Sequence, residues 1–200
     1  MPATAMSRPD PSPQPAADGR FPDGFRWGTA TAAHQIEGGN WNNDWWRWEH
    51  TKGSGTREPS GDGCDSWNRW EDDADLVAAH GLDNYRFSVE WSRIEPEEGE
   101  YSLAALDHYT RMCDGLRDRG VEPVVTFHHF TTPRWLADKG GWEHGDTPAR
   151  FGAFCELVAE RLDPALAGPA PSTSPTSWPS AATCWAPSPR GSRIRSGFPR

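Results

Sequence analysis

Val124-Val125-Thr126-Phe127-His128-His129-Phe130-Thr131-Thr132-Pro133-Arg134-Trp135-Leu136 is the stretch whose reading decides the fold. A short apolar run that ends abruptly in histidines and a proline-broken loop reads as a buried strand delivering polar side chains at its C-terminal end. In a (β/α) barrel that end of each strand is where the chemistry sits. The strand is scaffold, and its tip is a candidate site.

Working outward, the preceding segment from Leu103 to Arg119 places Leu106, Tyr109, Met112, Cys113 and Leu116 on one helical stripe, and Gly120 supplies the stop. Before it, Asp83-Asn84-Tyr85-Arg86-Phe87-Ser88-Val89-Glu90-Trp91 alternates strictly, with Tyr85, Phe87, Val89 and Trp91 on one face and Arg86, Ser88 and Glu90 on the other. If the sheet closes into a barrel, Arg86 and Glu90 point inward, where charges need partners. A helix capped by Ser66 carries Trp67, Trp70, Ala74, Val77 and Ala78 and stops at Gly81. Residues 25–33 read as a first short strand, with His34-Gln35-Ile36-Glu37-Gly38-Gly39 at its exit and a long Gly-, Trp- and Asn-rich loop to about Asp65. Downstream, a third helix spans roughly residues 148–162, with Phe151, Phe154, Leu157 and Val158 inward. The order strand, helix, strand, helix, strand, helix implies parallel strands joined by right-handed crossovers. The expected fold class is therefore α/β: about the first three units of a TIM (β/α)8 barrel, over residues 21–163.

Composition narrows the function. Acidic residues outnumber basic ones 29 to 20, for a net charge of -9, which argues against nucleic acid or an anionic membrane as partner and for a neutral or cationic small molecule. No window reaches the roughly 18 apolar residues of a membrane span, and residues 1–20 have no apolar core of a signal peptide, so the expected address is the cytoplasm. Those first residues carry five prolines and little apolar content and are expected to be a disordered leader. Cys64, Cys113, Cys155 and Cys184 lie far apart with no CxxC pair, which suggests neither a disulfide framework nor a zinc site. His128, His129 and His144 suit a metal poorly, because adjacent strand residues point to opposite faces. Twelve tryptophans are a heavy load. The cluster Trp41-Asn42-Asn43-Asp44-Trp45-Trp46-Arg47-Trp48 in a polar loop leans toward a ligand-facing role, since aromatic faces suit the C–H faces of sugars.

Four segments together resemble glycoside hydrolase family 1, the β-glucosidase family, N-terminal portion only. They are the run from Phe25 through His34-Gln35-Ile36-Glu37-Gly38, the run Asn84-Tyr85-Arg86-Phe87-Ser88-Val89-Glu90-Trp91-Ser92-Arg93-Ile94, the run Glu95-Pro96-Glu97-Glu98-Gly99-Glu100, and the opening stretch. The resemblance implies a retaining β-glycosidase acting on a small β-glucoside or oligosaccharide, with no metal or organic cofactor. It implies that Gln35 and His129 bind sugar hydroxyls and that Arg86 orients the nucleophilic carboxylate. Where the family commonly has Trp after the site histidine, this chain has Phe130. On residue chemistry alone, Gln35 reads equally as a loop brace and His129 as a core histidine.

The same resemblance implies two catalytic glutamates, one in an Asn-Glu-Pro motif at the fourth strand, the other near the seventh. No Asn-Glu-Pro occurs in the 200 residues, so the chain as given is expected to be inactive. From Pro164 to Arg200 there is no Asp or Glu, and Pro, Ser, Ala, Arg and Gly dominate, a composition that does not build a core. A reading-frame slip is one cause: read in the neighbouring frame, Thr173-Ser174-Pro175-Thr176 permits Asn-Glu-Pro-Asn. The competing class is a non-catalytic carbohydrate-binding or regulatory module that uses the Trp-rich loop and Gln35 to hold a sugar without cutting it.

Overall fold

A computed structural model describes residues 19–162. The expectations for residues 1–18 and for the tail from residue 163 onward lie outside the described residues. Three strands, β1 (Gly28–Ala30), β2 (Asn84–Ser88) and β3 (Glu122–Thr126), form one parallel sheet in the order β1-β2-β3. The register sets Ala30 beside Arg86 and Arg86 beside Val124. Three long helices follow the strands or link them: α3 (Ser66–Ala79), α5 (Leu103–Asp118) and α7 (Thr147–Leu162). Four short ones, α1 (Ala33–Ile36), α2 (Asp44–Glu49), α4 (Trp91–Ile94) and α6 (Arg134–Asp138), are set into the connections.

The core lies between one face of the sheet and the long helices. Tyr85 and Phe87 of β2 meet Leu106, Tyr109, Cys113 and Leu116 of α5, and Trp91 stacks on Phe154 of α7 at 4.8 Å. Trp91, Leu106, Tyr109, Leu116 and Phe154 are essentially without solvent contact. Burying side chains of this size stabilises the fold by about 2 to 3 kcal/mol each, so the three units share one continuous core. The other face of β2, which carries Arg86, is open, and Arg86 is exposed.

Several local expectations are corrected. The first strand is only three residues long, because Ala33 N–H donates to Ser88 Oγ at 2.7 Å and the chain turns there into α1. Asp65, not Ser66, is the N-cap of α3, and the Ser66 hydroxyl donates instead to Asp73 at 2.5 Å. Trp91 leaves the strand to start α4, capped by Glu90. The Trp-rich segment is not all loop: Asn43 Oδ1 accepts from Trp46 N–H at 2.8 Å and starts α2. Gly38 is required where it stands, since its φ of 78° is left-handed and an added Cβ would lie 2.2 Å from the Asp62 carbonyl oxygen. No helix among the described residues is long and apolar enough to cross a membrane.

Candidate active site

The three strands lie side by side, and the three residues singled out in the sequence lie within them or just beyond their C-terminal ends. Gln35 is exposed on α1, just beyond β1, on a turn pinned to β2 by the Ala33–Ser88 hydrogen bond. Arg86 lies within β2, and His129 follows β3. Arg86 is close enough for its charge to act on His129: burial first, and then the guanidinium, lower the imidazole's proton affinity, so His129 is held neutral. A neutral imidazole both donates and accepts, which is what a hydroxyl requires.

Alternation does not carry through to the histidines. Continued from Val124 and Thr126, it would turn His128 toward the Arg86 face. The strand ends at Thr126, however, and His128 lies against Trp142 (4.7 Å) and Phe151 (6.1 Å) on the helix side. Burial pushes its proton affinity down to a pKa of about 4. His129 is the one close enough for the Arg86 charge to act on it.

The aromatic wall beside this rim was partly legible. The Trp-rich segment is stapled to the exit of β3 by backbone hydrogen bonds, Asp44 N–H to Thr132 O at 3.0 Å and Arg134 N–H to Asn42 O at 3.1 Å. Asp44 Oδ1 also accepts from Thr132 N–H at 2.8 Å. This brings Trp45 onto Phe130, stacked at 5.3 Å, with His129 edge-on to Phe130 at 4.2 Å. Phe130 adopts φ 70°, a left-handed conformation that costs a non-glycine residue about 1 kcal/mol or more. Behind the wall His34, with its ring 6.1 Å from that of Trp45, accepts from Asn43 Nδ2 at 3.1 Å. Its Nε2–H therefore donates to Glu49 at 3.0 Å. Burial works to raise the Glu49 carboxyl, but bonds from Ser60 and His34 outweigh it and lower it.

Sequence reasoning missed a buried acid network under the rim. Glu37 accepts from Tyr109 Oη at 2.7 Å, Arg93 Nε at 3.0 Å and Asn40 Nδ2 at 3.3 Å. Tyr109 Oη in turn accepts from Glu90 N–H at 2.9 Å. Burial dominates over the Arg93 charge and the Tyr109 hydrogen bond and raises the Glu37 pKa to about 7. Glu90, expected to face inward beside Arg86, is instead bonded by Ser92 Oγ (2.7 Å) and Thr131 Oγ1 (2.9 Å). These carboxylates hold loops together, and their oxygens are taken. The only signal was their presence in the two quoted segments, because the partners are 56 and 72 residues apart. Among the described residues no cluster of three or more His, Cys, Asp or Glu is arranged to hold a metal ion.

Comparison with known proteins places this geometry. The family model described as glycosyl hydrolase family 1 matches residues 17–167. Thermostable beta-glucosidase B of Thermobispora bispora is 44% identical over 153 residues, 74% of this chain and 32% of its own. Human cytosolic beta-glucosidase is 40% identical over 132 residues, 61% of this chain and 28% of its own. Among solved structures, beta-glycosidase BGL167 superposes with a TM-score of 0.69 at 53% identity, covering 71% of this chain and 34% of the other. Beta-glucosidase from Thermotoga maritima in complex with cyclophellitol gives a TM-score of 0.69 at 36% identity, again with 71% and 34% covered. The chain thus spans about a third of the length of the curated relatives it matches.

Proposed function

The chain belongs to glycosyl hydrolase family 1 and builds three β/α units of its TIM barrel, and from that premise we propose that it carries the sugar-gripping side of a retaining β-glucosidase. Gln35 and His129 hold hydroxyls of the terminal sugar, and Trp45 and Phe130 form the apolar wall beside it. Arg86 keeps a nucleophilic carboxylate ionised and aimed. In the full reaction one glutamate attacks the anomeric carbon, while another protonates the leaving oxygen and then activates water, the two lying about 5 to 5.5 Å apart. Neither is supplied by this chain, which has no Asn-Glu-Pro, so the 200 residues by themselves bind without cleaving. Residues 164–200 read as the product of a reading-frame slip, and the coding DNA around residues 162–168 tests that directly.

The observation that supports this reading most is the proximity of Arg86, in β2, to His129, just past the end of the neighbouring β3, close enough for the guanidinium charge to act on the imidazole. The experiment combines an aryl β-glucoside hydrolysis assay with ligand-observed NMR of glucose on the purified chain. Expected are no turnover and a glucose signal that weakens in Gln35→Ala and His129→Ala. Turnover, or a signal indifferent to both substitutions, would refute the assignment.

A further inference from the structure

Gln35 sits on a helix that cannot hold itself in place. α1 has four residues and no side-chain cap at its N-terminus, and helices of that length do not persist in water without tertiary bonds. α2, which carries Trp45, has six residues, none of them fully buried, so core packing does not fix it either. Among the described residues, the side-chain hydrogen bonds that tie α1 to α2 and its cap all come from His34, the immediate neighbour of Gln35.

His34 is buried, and its two ring nitrogens reach opposite ends of α2. Nδ1 accepts from Asn43 Nδ2 at 3.1 Å, and Nε2–H donates to Glu49 Oε1 at 3.0 Å. Each partner is itself held in one orientation. Asn43 Oδ1 is committed to the Trp46 N–H at 2.8 Å, so the amide nitrogen must face the imidazole. Glu49 Oε2 accepts from the Ser60 N–H at 2.9 Å and from the Ser60 hydroxyl at 2.8 Å, which leaves Oε1 for His34. The imidazole thus spans the helix from its N-cap to its last residue, with an acceptor at one end and a donor at the other. On its other side the α2 segment is bonded to the exit of β3, through Asp44 to Thr132 and Asn42 to Arg134, which seats Trp45 on Phe130. An unbroken series of bonds therefore runs from the turn that carries Gln35, through His34 and α2, to the aromatic wall.

A saturated sugar ring presents hydroxyls at its edge and C–H groups on its faces, so a site that grips it must hold a polar group and a flat ring at a fixed spacing. The geometry points to His34 as a positioning residue for sugar recognition, one that sets the spacing between the Gln35 amide and the Trp45–Phe130 wall without touching the sugar. This role rests on the rim proposed above, in which Gln35 holds a hydroxyl and the two aromatic rings form the wall.

The test is a ligand-observed NMR titration of the full chain with glucose, for wild type, His34→Phe, His34→Gln, Gln35→Ala and the double variant His34→Phe with Gln35→Ala. His34→Phe keeps a ring and removes both bonds, whereas His34→Gln keeps a donor for Glu49. His34→Phe should weaken glucose by up to about tenfold, because an unbraced Gln35 has to be ordered on binding, and His34→Gln should recover part of that loss. In the Gln35→Ala background His34→Phe should cost clearly less, since the brace acts through that side chain. The indole N–H resonance of Trp45, identified by its loss in Trp45→Phe, should move in sugar-free His34→Phe while far-ultraviolet circular dichroism shows the chain folded. If His34→Phe unfolds, His34→Gln carries the same comparison with one bond kept. Wild-type affinity in the His34 variants while Gln35→Ala weakens binding would overturn the positioning role and leave the rim standing. So would a loss of equal size with and without Gln35, which marks general destabilisation. Binding indifferent to Gln35→Ala, or the absence of saturable binding, would overturn the rim and the brace with it.

Discussion

Replacing Glu37 with Gln should flatten one part of the pH dependence of stability. In the native chain Glu37 keeps its proton up to a pKa of about 7, whereas its ordinary value is 4.5. Between those values the native state holds a proton that the unfolded chain has released, so stability falls as pH rises. The contribution is whole below about pH 4.5 and gone above about pH 7. At about 1.4 kcal/mol per pH unit, it amounts to about 3 kcal/mol at most. His108 and His128 work in the opposite sense, because burial lowers both to about 4 and native stability therefore rises through the acid range. The wild-type profile alone is thus a sum of opposing slopes, and the informative quantity is wild type minus Glu37→Gln. Urea unfolding at several pH values between 4.5 and 7.5 gives that difference. Wild type should lose about 3 kcal/mol relative to the variant across the range, whatever constant offset the altered hydrogen bonds to Arg93, Tyr109 and Asn40 add. Two parallel curves would show that Glu37 does not titrate in this window and refute the account of the buried network.

Tyr109→Phe removes the hydroxyl shared by Glu37 and the Glu90 N–H, leaves two buried groups each short of a partner, and should cost about 2 to 4 kcal/mol in urea unfolding. It should also move the Glu37-dependent slope to higher pH, a shift that mere loss of packing would not give. Asn43→Ala deletes the cap of α2 and the bond to His34, and should cost about 2 to 3 kcal/mol with blue-to-red movement of tryptophan emission as Trp45 comes off Phe130. Phe130→Gly relieves the left-handed backbone while losing the Trp45 stack, terms of about 1 kcal/mol each. Its stability should stay near wild type, and a loss above about 3 kcal/mol would show that the ring is core.

What was legible in the sequence follows from length and distance. α3, α5 and α7 run 14 to 16 residues, long enough for an apolar stripe to repeat, and Gly81 and Gly120 mark the ends of the first two. α1, α2, α4 and α6 have four to six residues, too few for a period to show, and depend on tertiary bonds such as those of Asn43 and Glu90. Strand alternation placed Tyr85, Phe87 and Arg86 correctly, but it could not show where β3 stops, and so could not say which of His128 and His129 turns to Arg86. The Glu37–Tyr109–Arg93 network was invisible because a pairing across 56 or 72 residues leaves no local pattern.

The two halves of glycoside cleavage place different demands on a barrel. Gripping a sugar needs a few fixed donors and a flat wall, and on the proposed reading those are set by bonds between neighbours: Ala33 to Ser88, Asp44 and Asn42 to residues 132–134, Trp45 to Phe130. None of these reaches outside the three units, so the rim is organised locally. On the same reading, the two carboxylates that cleavage needs come from strands outside these three units. Arg86 marks the seam, since it forms no ion pair among the described residues and stands exposed on the open face of β2. Within a closed barrel a guanidinium in that position would require an acid opposite it. On the reading proposed here, the charge of Arg86 is already in place for a nucleophile that must come from elsewhere in the barrel, which is why binding and cleavage separate in this chain.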